Sequence, residues 1–184
     1  MEISANIYIP KTGEEIKKIE GLLSSHCGTQ IKDIWRLGIC LGLRINELLQ
    51  MKFSDLNGDI LQVELSKSRH NSISNIHISP SAKEIISSIK KQHPKDKFVF
   101  QSRNSRNIKN RESKPISRQA VYKAFKEVGD ILNVKLSPHS MRHAAVLNML
   151  QNNNSENFVS NYIHSSKFTT EALNSYYSNP RDKE

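Results

Sequence analysis

The 184-residue sequence predicts a mainly α domain with a small antiparallel β-sheet, an α+β fold. Three observations point there. Glycine and proline are sparse, at 7 and 6 residues, so little interrupts helices. Apolar residues recur at helical spacing through most of the chain. One stretch near the middle instead alternates in polarity beside a turn signal, as paired strands do.

Residues 12–25 open with Thr12 as an N-cap and Glu15 three positions on as its capping-box partner. Ile16, Ile19, Leu22 and Leu23 then share one face. Residues 29–43 form a second helix whose apolar face is Ile31, Ile34, Trp35, Gly38 and Leu41. Trp35 reads as core, not as a base-stacking platform. Arg44 follows directly, and Ile45, Leu48 and Leu49 continue the apolar pattern around it. An arginine so flanked needs partners to offset its desolvation, and Glu47 lies within reach on a helix. A buried Arg44–Glu47 pair would by itself account for both residues.

Asn57-Gly58-Asp59 marks a turn into a strand holding Ile60, Leu61, Val63 and Leu65. A polar hairpin tip, Lys67 to Asn71, separates it from a second strand with Ile73, Ile76 and Ile78. That tip can place Lys67 and Arg69 in a groove near a phosphate, or leave both solvated. A helix is expected over 81–92, and Phe98-Val99-Phe100 is expected to add a third short strand.

Residues 101–118 are almost free of apolar side chains and crowded with Arg and Lys. They read as a flexible basic loop. Arg103, Arg106, Lys109, Arg111, Lys114 and Arg118, with Arg69, are its candidates for contact with a nucleic-acid backbone, although a solvated loop fits the composition too. Residues 117–132 form an amphipathic helix with Ala120, Val121, Phe125, Val128 and Leu132 inward. Helices at 139–151 and 155–163 come next, and a last one from Thr169 carries Tyr176 and Tyr177 and ends before Pro180. No internal repeat is visible.

The length suits one domain with a real core. A net charge of +9, from 27 Lys+Arg against 18 Asp+Glu, favours a polyanionic partner, and nucleic acid is the commonest. Cys27 and Cys40 form neither a metal spacing nor a disulfide framework, which suits a reducing cytoplasm. No apolar run approaches a membrane span, and Glu2 and Asn6 interrupt any signal peptide. His139 and His143 stand four apart, a zinc-compatible spacing, yet no third ligand is evident. No metal or other cofactor is expected.

The most informative stretch is Ser137-Pro-His-Ser-Met-Arg-His143, read with Gly42-Leu-Arg-Ile-Asn-Glu-Leu48 upstream and with His164, Tyr176 and Tyr177 downstream. Planar guanidiniums match a phosphodiester bidentately, and a phenol is a plausible covalent nucleophile if something takes its proton. In the order and intervals of these elements the chain resembles the tyrosine recombinase (phage integrase) family over roughly residues 12–180.

The resemblance implies a 12–180 catalytic DNA strand-transfer domain, with 1–11 an N-terminal extension and 181–184 a tail. It implies that Arg44 and Arg142 clamp the scissile phosphate, that Lys67 protonates the leaving 5′-oxygen, and that His139 accepts or relays the tyrosine proton. His164 would bond a non-bridging oxygen, and Glu47 would orient the set. The "LNSY" context selects Tyr176 as nucleophile, with Tyr177 the alternative. Two departures stand out: Ile163 replaces the glycine usual before the third-motif histidine, and both tyrosines lie farther beyond His164 than the family's interval.

Further implications are double-stranded DNA as partner, self-association on it as far as a tetramer, and accessory DNA-bending proteins. The expected activity is site-specific recombination through a 3′-phosphotyrosyl intermediate. The rivals are a type IB topoisomerase-like nicking and resealing activity and a degenerate DNA-binding relative. The short N-terminal stretch suggests a compact catalytic-domain-only member, like the fimbrial-type DNA invertases, or an excised catalytic domain.

Overall fold

The computed structural model describes residues 7–64, 73–103, 112–152, 154–155, 158–159 and 162. Helix α1 (Gly13–Leu22) begins as its capping box dictates: the Thr12 side chain accepts from the Glu15 amide at 3.2 Å, and the Glu15 carboxylate accepts the Thr12 amide at 3.0 Å. A π-helical turn, Leu23–Cys27, leads to α2 (Thr29–Leu41), followed by the short α3 (Ile45–Gln50). After a 3₁₀ turn at Phe53–Asp55 come β1 (Leu56–Asn57), β2 (Ile60–Glu64) and β3 (Ile73–His77). Helices α4 (Pro80–Gln92), α5 (Arg118–Leu132) and α6 (Pro138–Gln151) complete the described elements.

The sheet runs β1-β2-β3, antiparallel throughout, with Leu61 opposite Ile76 and Val63 opposite Ser74. Leu61, Val63 and Ile76 are buried, while Gln62, Glu64, Asn75 and His77 face outward. Alternation therefore places these two strands correctly. The third strand is not the expected one. Leu56–Asn57 folds back on β2 across the Gly58-Asp59 turn, where Gly58 takes a φ of +59°. Phe98–Phe100 is instead stitched by isolated bonds. Phe98 bridges Lys52, the Val99 amide donates to the Met51 carbonyl at 2.9 Å, and Phe100 accepts from the Ile116 amide at 2.7 Å.

The ends of the basic 101–118 stretch are likewise held. Gln101 bridges Pro115, and the Ser102 amide donates to the Lys114 carbonyl at 2.8 Å. On α5, Ala120 is exposed and Leu132 half-buried, whereas Ala124 and Gly129 join Val121, Phe125 and Val128 inside. The apolar face is rotated from the expected one because the helix packs through its smallest residues. A Cβ on Gly129 would lie 2.6 Å from the Val134 carbonyl oxygen.

The main core joins α1, α2, α4, α5 and the sheet around Trp35, whose indole N–H donates to the Ile16 carbonyl at 3.3 Å and whose ring meets Phe125 edge-on at 5.7 Å. Burying each such side chain contributes about 1.5–3 kcal/mol. A smaller cluster sets Ile9 against Val146, Leu147 and Val159. The Tyr8 amide donates to the Lys135 carbonyl at 3.1 Å, so this N-terminal stretch packs onto the domain. No described helix is long and apolar enough to cross a membrane.

Candidate active site

Two helix ends build the site. Helix α2 stops at Gly42, which takes the left-handed conformation at φ 62°, a region that side chains with a Cβ enter reluctantly. That turn frees the chain to start α3 at once, with Arg44 as its extended N-cap residue. Glu47, in the first turn, reaches back to it. Its Oε2 accepts the Arg44 backbone N–H at 2.9 Å, and its Oε1 accepts from Arg44 Nη1 at 3.0 Å. The carboxylate lies almost wholly out of water, whereas the Arg44 side chain keeps 23% of its exposure.

Arg142 comes from α6, whose entry is set by Ser137 as N-cap and Pro138 in the first turn. Helix α6 lies close against α2 at Met141, the neighbour of Arg142, because Gly38 has no side chain. A Cβ there would sit 1.9 Å from the sulfur of Met141. Arg142 is only 9% exposed, and its Nη1 donates to the Gly42 carbonyl at 2.7 Å. Burial chiefly, and then the nearby Arg44 charge, lower its pKa to about 10, with Glu47 opposing them. Even so, it stays charged at neutral pH.

Arg44, Glu47 and Arg142 thus form one electrostatic cluster. Glu47 pairs with Arg44 and opposes the fall in the Arg142 pKa, and two guanidiniums side by side suit a phosphodiester, which carries one negative charge. His139 stands exposed one turn before Arg142, near the N-terminus of α6, with its amide on the Ser137 hydroxyl at 3.3 Å. Its ring centroid lies 6.3 Å from that of His143. His143 is turned inward, and burial first, then His139 and Arg142, push its pKa down to about 4. Its Nδ1 is buried with no hydrogen-bond partner among the described residues.

Lys67, Arg69, Arg106, Lys109, Arg111, His164, Tyr176 and Tyr177 lie outside the described residues. Of the other backbone-contact candidates, Arg103 is half-buried and engaged: Nε and Nη2 reach Asp96 Oδ2 at 3.0 and 2.8 Å. Lys114 and Arg118 are exposed, and Arg118 lies over the Tyr122 ring at 5.9 Å. Sequence reading missed the carbonyl of Gly42 as a ligand of Arg142. A glycine closing a helical pattern signals the left-handed cap but not what its carbonyl will meet.

The model of the phage integrase family matches residues 12–180. The chain is 26% identical to tyrosine recombinase XerD of Halalkalibacterium halodurans, over 81% of this chain and 54% of that one. With tyrosine recombinase XerA of Pyrococcus furiosus it shares 28% identity, over 79% of this chain and 51% of the other. The chain spans about half the length of these two relatives.

Among solved structures, a lambda integrase dimer bound to a COC′ core site superposes with a TM-score of 0.71 at 19% identity, covering 100% of this chain and 51% of that one. A lambda integrase tetramer bound to a Holliday junction gives 0.68 at 20% identity, covering 90% and 47%. XerA recombinase gives 0.69 at 17% identity, covering 94% and 61%. At these identities the superpositions speak for the fold. The family match, spanning nearly the whole sequence and both arginine-bearing motifs, decides membership: the chain belongs to the phage integrase family.

Proposed function

We propose that this domain cleaves and rejoins DNA strands site-specifically through a 3′-phosphotyrosyl intermediate. The observation that carries the reading is that Arg44, bonded to Glu47, and Arg142, bonded to the Gly42 carbonyl, are brought close enough for their charges to interact. Two guanidiniums held by Glu47 and Gly42 are pre-organised for charge that grows on the non-bridging oxygens as phosphorus is attacked.

Tyr176 supplies the nucleophile in this reading. Its Oη bonds to phosphorus, its proton passes to or through His139, and the 5′-oxygen leaves with a proton from Lys67. His164 bonds a non-bridging oxygen. Reversal, with another strand's 5′-hydroxyl attacking the phosphotyrosine, rejoins DNA without ATP because the phosphodiester energy is kept in the covalent bond. Duplex DNA is the substrate. Self-association on DNA, as far as a tetramer, follows from the same reading and is supported by the likeness in fold to a lambda integrase tetramer bound to a Holliday junction. Accessory DNA-bending proteins belong to the reading too.

A nicked suicide duplex tests it. The protein should become covalently attached at a 3′-phosphate, in chelator as well as without it. Tyr176→Phe should abolish the adduct and spare binding. Tyr177→Phe should keep it, because consecutive helical residues point about 100° apart. An adduct that survives in the double Phe variant removes tyrosine from the mechanism, and loss in chelator points to a metal nuclease. Exchange between two sites separates recombination from simple nicking and resealing.

A further inference from the structure

We infer that the lysines around the C-terminal end of α4 form a second duplex-DNA contact surface, which holds DNA flanking the strand-transfer site. The inference rests on the strand-transfer reading and concerns residues outside its motifs. Lys90, Lys91, Lys95 and Lys97 are all exposed within one short stretch, and Lys52 is half-buried beside them. The fold gathers them. The Phe53 amide donates to the Lys97 carbonyl at 3.1 Å, and Lys52 bridges Phe98, so the chain leaving α3 is sewn to the chain leaving α4.

Two of these ammoniums are placed on aromatic rings. Lys90 Nζ lies 4.4 Å from the Phe53 ring centroid and donates to the Pro94 carbonyl at 2.9 Å. Lys97 Nζ lies 5.9 Å from the Phe98 centroid. Of the neighbouring carboxylates, Asp96 is paired with Arg103. It also accepts from Gln101, and Asp55 accepts the Lys52 amide and the Ser54 hydroxyl. Lys83, farther up α4, is paired with Asp59. Among the described residues, none of the five lysines is in an ion pair.

Lys90 and Lys91 gain from the α4 dipole, but Lys52, Lys95 and Lys97 lie off that helix and gain nothing from it. Like charges crowded within a Debye length of about 8 Å repel one another, and a polyanion relieves that repulsion. Duplex DNA fits better than an acidic protein because of position. Lys52 lines a cavity of about 510 Å³ together with Glu47, the residue that holds Arg44, and with the carboxylates of Asp55 and Glu64. Helix α3 between them is about 9 Å long. A duplex carries a charge for about every 1.7 Å of its axis, so one seated on Arg44 brings further phosphates within reach of this edge.

The test is a salt titration of binding with the whole chain on two duplexes, one of about one helical turn and one of about three. Wild type should show a steeper log–log salt slope on the longer duplex. In Lys91→Gln/Lys95→Gln/Lys97→Gln that increment should shrink by roughly 0.9 for each phosphate no longer neutralised, up to about 2.7. Thermal unfolding checks that the variant is folded. Lys17→Gln/Lys18→Gln on α1 removes charge elsewhere and should leave the increment intact.

An unchanged increment in the triple variant overturns the inference while the strand-transfer reading stands. So does an equal loss in the α1 control. Unaltered DNA binding with lost retention on polyglutamate reassigns the patch to an acidic protein partner and overturns it too. A wild type whose binding to either duplex is insensitive to salt overturns both.

Discussion

Arg142 Nη1 donates to the Gly42 carbonyl at 2.7 Å, and that bond joins two motifs that lie a hundred residues apart in the chain. It holds one edge of a buried guanidinium on the backbone, in the turn just before Arg44. In the proposed function, the phosphate grip is therefore built from a backbone atom of one motif and a side chain of the other.

Arg142→Ala should lower single-turnover cleavage on saturating DNA about 10²–10³-fold, with a much smaller loss of binding. Arg142→Lys should recover little. An ammonium can bond the Gly42 carbonyl or a phosphate oxygen, but it lacks the planar fork that meets both. Poor binding with normal cleavage at saturation would remove Arg142 from the clamp.

The close packing of α6 on α2 carries the second prediction. In Gly38→Ala the new methyl falls within 1.9 Å of the fully buried Met141 sulfur. Overpacking of this kind costs about 1–3 kcal/mol, offset in part by about 1 kcal/mol of helix propensity. Because Met141 adjoins Arg142, cleavage should fall even where the protein remains folded. Met141→Ala alone should destabilise by about 2–5 kcal/mol, and the double variant by less than the sum. Strict additivity in a double-mutant cycle would show that the two positions do not compete for space.

Glu47 accepts both a backbone and a side-chain donor from Arg44. Glu47→Ala should cost about 1.5–3 kcal/mol, the range for hydrogen bonds to charged groups, and should loosen Arg44. Glu47→Gln keeps an acceptor and the shape, so both its stability and its cleavage rate should lie between Glu47→Ala and wild type. Urea denaturation and single-turnover rates read the two effects separately. Equal cleavage in all three chains would reduce Glu47 to a purely structural partner.

How far the sequence reveals this arrangement depends on the range of each interaction. Thr12 with Glu15, and Arg44 with Glu47, are three-residue relationships inside one helical turn, so spacing alone predicts them. The β2–β3 pairing follows from alternation at Leu61, Val63 and Ile76. The third strand escapes a sequence reading because apolar Phe98–Phe100 looks more like a strand than Leu56–Asn57 does. Which of them pairs with β2 is decided by the tight Gly58 turn. Periodicity places Ala120 inside because it cannot fix the rotation of a helix whose buried side holds Ala124 and Gly129. The Gly38–Met141 approach and the Arg142–Gly42 bond arise only once α2 and α6 dock, and no local pattern encodes them.

His143 supplies a pH prediction with a definite sign. Its folded pKa is about 4 against an ordinary 6.5, chiefly because burial disfavours the charged ring. Between those values the unfolded chain binds a proton that the folded chain refuses, so stability rises with pH across that window. The contribution is complete above about pH 6.5, declines as pH falls, and is lost below about 4. Its size is at most on the order of 3 kcal/mol. Carboxylates whose pKa is lowered in the fold, such as Glu15, add their own loss at the acid end, but they do so equally in wild type and variant. His143→Gln should therefore differ from wild type in the slope of stability between pH 4 and 6.5, whatever its stability at neutral pH. Denaturant midpoints across that range measure it, and parallel curves for the two chains would mean that the folded imidazole accepts its proton as readily as a solvated one.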